Sequence, residues 1–135
     1  MKNFKKTALS LALLAGFILT LNSCNKDNPK TFVKVKVTTA GILPSPRAGV
    51  TVYMFLENHG PSTSFFRPIH SRRQVITENN GIATFELGEM DLHIINSQTT
   101  FHFGVFGGTS TSPTILGTAS VTIKEGETKE VTISY

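Results

Sequence analysis

From Phe32 to the C-terminus the chain is written in short runs that alternate apolar and polar residues. A period of two places successive side chains on opposite faces of a strand, so this pattern constrains the fold more than any other feature. Phe32–Thr38 sets Val33, Val35 and Val37 against Lys34, Lys36 and Thr38. Gly41-Ile42-Leu43-Pro44-Ser45-Pro46 breaks the run with two prolines. Gly49–Leu56 is a second strand with Val50, Val52, Met54 and Leu56 inward, and Ser71–Thr77 is a third, mixed one. Asn79-Asn80-Gly81 tolerates the positive φ of a tight hairpin. It leads into Ile82–Leu87, with Ala83, Phe85 and Leu87 inward. Thr100–Phe106 points Phe101, Phe103 and Val105 to one side, and Ala119–Ile123 does the same with Ala119, Val121 and Ile123. Lys124-Glu125-Gly126-Glu127 turns the chain into Glu130–Tyr135, with Val131, Ile133 and Tyr135 inward.

Short strands separated by turn signals at this spacing predict an all-β chain, an antiparallel β-sandwich of about seven strands. The chain has one cysteine and no tryptophan, which excludes the disulfide-and-tryptophan core of antibody domains. Residues 31–135 are expected to form one domain, long enough to bury a core without a covalent staple.

Arg47-Ala48-Gly49-Val50-Thr51-Val52-Tyr53 resembles the opening of carboxypeptidase regulatory-like and transthyretin-like domains. Thr77-Glu78-Asn79-Asn80-Gly81-Ile82-Ala83-Thr84-Phe85 is similar to their hairpin, and Val121–Thr128 to their last one. The resemblance implies a transthyretin-like sandwich. Its motifs carry turns and core positions, and fold does not specify ligand.

The N-terminus is a different kind of sequence. Met1–Lys6 holds three lysines and no acid, and Thr7–Leu21 is free of charge. A basic start followed by an apolar stretch predicts a secretory signal over residues 1–23. The stretch is short for a permanent span, and its leucines point all round a helical wheel with no polar face. The lone cysteine follows at once. Leu21-Asn22-Ser23-Cys24 resembles the lipobox of bacterial lipoproteins, in which the thiol takes a diacylglycerol and the signal is cut before the cysteine. Stable anchoring takes more than one acyl chain, and such a residue carries several. Cys24 is therefore expected to be a tether, with residues 24–30 as lipidated cysteine and linker. Lys26 and Asp27 resemble in part the export signal of Bacteroidota-type lipoproteins, which implies an outer-membrane location facing the cell surface.

The formal charge of +4 does not indicate a nucleic-acid partner. Lys2, Lys5 and Lys6 leave with the signal, and from Cys24 onward ten basic residues face nine acids, a balance of +1. A nucleic-acid binder shows a basic stripe; here only residues 67–73 are locally basic.

Catalytic patterns are scarce. His59, His70, His93 and His102 form no close pair, and a metal centre needs three or four converging ligands, so no metal or cofactor is expected. Iron dioxygenases of transthyretin-like fold use two tyrosines and a Tyr-His-x-His run; this chain has Tyr53 and Tyr135 and no such run. Purine-pathway hydrolases of that fold end in Tyr-Arg-Gly-Ser, whereas this chain ends Thr-Ile-Ser-Tyr. There is no nucleophile elbow, phosphate-binding loop, dinucleotide fingerprint or calcium loop. Gly88-Glu89-Met90-Asp91 reads as a bend.

The most unusual stretch is residues 57–73, where Phe65 and Phe66 adjoin His59, His70, Arg67, Arg72 and Arg73 in a Gly/Pro/Ser-rich loop. Loops on a rigid scaffold carry binding, and aromatics with arginines are enriched in binding hot spots. The competing reading is a plug: adjacent residues on an extended chain face opposite ways, so one phenylalanine can turn inward and close the open end of the sandwich. The second Gly/Ser/Thr-rich stretch, Gly107–Pro113, reads as a flexible connection. Together these readings predict a lipid-anchored, non-enzymatic module that binds a protein or glycan partner in the envelope. A small enzyme on the same scaffold and a structural spacer are the alternatives.

Overall fold

The computed structural model describes residues 29–88, 91 and 98–135. The signal segment, Cys24, Lys26, Asp27 and His93 lie outside the described residues. Among the described residues seven strands follow in order: β1 (Thr31–Thr38), β2 (Thr51–Phe55), β3 (Arg73–Ile76), β4 (Ile82–Leu87), β5 (Thr99–Gly108), β6 (Pro113–Ile123) and β7 (Thr128–Ser134). Between β2 and β3 lie two single 3₁₀ turns, Glu57–His59 and Pro68–His70.

The strands form two sheets, β4-β1-β7 and β3-β2-β5-β6. The sandwich and the strand phases agree with the alternation. Val33, Val35 and Val37 of β1 are fully buried, as are Val52 and Met54 of β2 and Phe101 and Phe103 of β5. Phe85 and Phe103 meet across the two sheets with ring centroids 5.2 Å apart. Val50, Leu56, Ala119, Val131 and Tyr135 pack on the rim of this core.

One pairing differs from the antiparallel expectation. β1–β4, β2–β3, β2–β5 and β5–β6 are antiparallel, but β1 and β7 run parallel from Phe32↔Thr128 to Thr38↔Ser134. The cause is the corner at residues 124–127. β6 ends in one sheet, the chain turns, and β7 joins the other sheet beside β1. The corner is fixed by the Glu127 carboxylate, which accepts the Lys124 N–H at 2.9 Å and lies 3.4 Å from the Lys129 ammonium. The Lys124 hydrogen bond first, and Lys129 after it, hold the Glu127 carboxyl below the ordinary glutamate range.

Gly107–Pro113 is not a loose connection. β5 runs through Gly108 and β6 starts at Pro113. Thr109 and Ser112 close the turn between them with reciprocal backbone bonds. The early part of β6 escapes the alternation because a bulge lies there: Val105 pairs Gly117, Phe106 pairs Ile115, and Leu116 is the extra residue.

The chain enters β1 beside the 124–127 corner, where the Pro29 ring packs on Gly126. At the opposite end lie the 39–50 connection, the Asn79–Gly81 turn and Tyr135, whose N–H reaches Thr38 O at 3.2 Å.

Candidate functional site

The phase of β2 and β5 that does not face the core is apolar as well. Phe55 on β2 and Phe106 on β5 point to the outer face, with Tyr53 beside them, around Gly104. A bare patch of this kind demands a cover. Residues 56–72 supply it by folding back over the sheet.

Phe66 is the cover's anchor. It is 3% exposed, and its ring lies 4.4 Å from Phe55 and 5.3 Å from Phe106. Phe55 is fully buried as a result. The plug reading is thus right for Phe66 but not in its location: the ring seals the outer face of a sheet and not the open end of the sandwich. Gly104 makes the notch. A Cβ there would meet Phe66 Cζ at 2.7 Å and Phe106 Cε2 at 2.8 Å. Gly104→Ala is therefore expected to lower stability by about 1–3 kcal/mol, the range for overpacking. Chemical denaturation checks this, and a variant as stable as the parent would contradict the notch.

The loop is pinned at both ends. His102 stands on the outer face of β5 with Nε2 3.2 Å from Glu57 O and Nδ1 2.7 Å from Ser120 Oγ. A carbonyl only accepts, so in the neutral ring Nε2–H donates to Glu57 and Nδ1 accepts from the Ser120 hydroxyl. Gly60 lies against that ring, where an added Cβ would be 3.0 Å from Nε2. At the far end, Arg72 N donates to Met54 O at 2.7 Å. Thr63 N and Oγ1 both donate to Gly60 O, and Ser71 Oγ donates to Pro68 O.

Arg72 and Arg73 share a partner distant in sequence. Asp91, whose side chain is 1% exposed, accepts from Arg73 Nη2 at 2.6 Å and from Arg72 Nε at 3.4 Å. Its carboxylate also accepts the Gly88 N–H at 3.1 Å, and Asp91 N donates to Gly88 O at 3.0 Å, so Gly88 helps hold the buried carboxylate in place. Buried carboxylates require such pairing. The sequence signal was present: two adjacent arginines with no local acid, and one aspartate after Asp27.

What remains outside is an aromatic ridge. Phe65 is 49% exposed. It stacks on His59 (centroids 5.1 Å, planes 24° apart) and meets His70 edge-on at 5.4 Å. Arg67 and Ile69 are exposed beside it. Of the residues singled out in this loop, the fold brings His59, Phe65 and His70 together, buries Phe66, and ties Arg72 and Arg73 to Asp91. Among the described residues, no group of three His, Cys, Asp or Glu side chains converges as metal ligands. The ridge offers stacking faces and imidazole hydrogen-bond donors and acceptors. That is the chemistry of reversible contact. No protein-family model, curated protein or solved structure matches this chain.

Proposed function

We propose that the protein is a lipoprotein of the Gram-negative outer membrane, tethered through Cys24, whose β-sandwich acts as a non-enzymatic binding or assembly module for a protein or glycan. The transthyretin-like and carboxypeptidase regulatory-like resemblance belongs to this reading. So does surface exposure, which rests on Lys26 and Asp27. The observation that carries the binding role is the His59–Phe65–His70 ridge. It holds a half-exposed phenylalanine in place on a loop that Phe66, His102 and Arg72 fasten to the sheet. Pre-ordering a contact loop removes part of the entropy loss on binding. The tether reading fits the direction of the chain, since Cys24 precedes by few residues the point where Pro29 packs on the 124–127 corner.

The test is the double variant His59→Ala, Phe65→Ser in the full-length protein. Partner capture from envelope fractions is expected to be lost while the melting temperature stays close to the parent's. Capture of the same partners with undiminished yield would refute the binding role of the ridge.

A further inference from the structure

A second surface stands at the end of the sandwich opposite the point where the chain enters. Ile42 is 99% exposed and Leu43 is 87% exposed, side by side at the tip of the β1–β2 connection. The two bare aliphatics are not on a loose loop. Thr39 N donates to Ser45 O at 2.9 Å, Ser45 N donates to Thr39 Oγ1 at 2.9 Å, and Arg47 N donates to Val37 O at 2.9 Å. Thr38 and Pro46 form an antiparallel bridge between these bonds. A third chain segment joins the stem, because Ala40 N donates to Tyr135 O at 3.1 Å. Arg47 closes it: its guanidinium lies 4.1 Å over the Tyr135 ring and Nη1 donates to Tyr135 O. The result is a short, buttressed hairpin that extends the β-structure past the core and ends in Ile-Leu.

We infer that this tip is an insertion element that docks into a concave, apolar socket on a protein partner. Four observations select that occupant. The tip is convex and aliphatic, so it offers a sugar neither a stacking face nor a side-chain hydrogen bond. Residues 39–46 carry no charge, and Arg47, the nearest cation, is committed to Tyr135; an anionic lipid surface attracts basic clusters instead. A tip-to-tip dimer would bury two side chains per copy, far below the ~800 Å² per partner of a stable interface. A socket that wraps the tip escapes this limit because it also covers the stem. Last, and resting on the proposed tether, the eight residues of β1 place the tip ~25 Å or more beyond the point of entry, while the linker from Cys24 leaves from the opposite end. The anchored domain thus presents the tip away from its own membrane.

The test places a photoreactive benzophenone amino acid at position 42 or 43 of the full-length protein in its own envelope, with position 132 on β7 as control. Both tip positions are expected to yield the same adduct with one other polypeptide, and position 132 none. With that polypeptide and the parent protein purified, Ile42→Ser and Leu43→Ser are each expected to weaken binding by about tenfold or more, as loss of one buried aliphatic side chain requires. The melting temperature should hold, and raising the salt about tenfold should leave the affinity within roughly twofold, because no charge takes part. Adducts with lipid, adducts with a second copy of this chain, absence of adduct, or serine variants that bind like the parent would each overturn the proposal. Fractionation of the same cells with Cys24→Ala reads the tether separately, so loss of the anchor and loss of the docking tip are told apart.

Discussion

Phe66→Ala is expected to destabilise the protein by about 3–5 kcal/mol, while Phe65→Ala, one residue away, changes stability by no more than about 0.5–1 kcal/mol. The two residues have the same side chain and are adjacent in sequence. They differ in what they touch. Truncating Phe66 empties the notch over Gly104 and uncovers Phe55 and Phe106, which the ring now seals at 4.4 and 5.3 Å. Truncating Phe65 removes a stack with His59 and an edge contact with His70 on a ring already half in water. For a domain of this size the Phe66 change corresponds to a fall in melting temperature of roughly 12–20 °C. Amide exchange should also quicken at Phe66 and Arg67, whose N–H groups bond within the loop. Thermal melting of the two single variants decides the matter. Equal effects, or a larger one at Phe65, would mean that the loop does not sit on the sheet as described.

Gly81→Ala carries the second large effect, expected at about 2–5 kcal/mol. Gly81 has φ +76°, a left-handed conformation that disfavours a residue bearing Cβ by roughly 1–2 kcal/mol. The added atom also has nowhere to go. It would lie 2.8 Å from Val37 O, 2.9 Å from Pro46 Cβ and 3.0 Å from Arg47 N. Two of these are backbone atoms of the hairpin stem, and relieving such overlap takes about 1–3 kcal/mol. The bond from Val37 N to Gly81 O, at 2.7 Å, would shift with it. Urea titration measures the loss. A Gly81→Ala protein with an unchanged midpoint would contradict the close seating of this turn on the stem.

Much of the core was legible because alternation reports directly which side of a strand a residue occupies. Val33, Val35 and Val37, or Phe101 and Phe103, need no tertiary information to be placed. The turn between β3 and β4 was legible for a different reason, since Asn80-Gly81 encodes a local conformation with positive φ at Gly81. The hairpin expected there does not form, because β3 and β4 go to different sheets and the turn is a corner between them. Pairing is not local, so nothing in Glu130–Tyr135 shows that β7 lies parallel to β1. Pro113–Gly117 was passed over as strand because the bulge at Leu116 breaks the period that identifies strands. The site was half legible. Phe55 and Phe106 are apolar in the phase that should face water, which already demanded a cover, and Phe66 in the loop was the available one. The ion pair of Asp91 with Arg72 and Arg73 joins residues about twenty positions apart through folding alone. Ile42 and Leu43 stand in sequence only as part of a break with two prolines after them; their meaning depends on exposure, which is a property of the fold.

The proposed anchoring of the domain depends on the state of Cys24. Intact mass measurement of the protein purified from the envelope, together with its partition between membrane and soluble fractions, tests that state. The predicted result is a chain that begins at Cys24, carries the mass of a diacylglycerol and an amide-linked acyl chain, and moves to the soluble fraction in the Cys24→Ala variant. A parent protein with an unmodified Cys24 thiol, or a Cys24→Ala protein that remains in the membrane fraction, would contradict it.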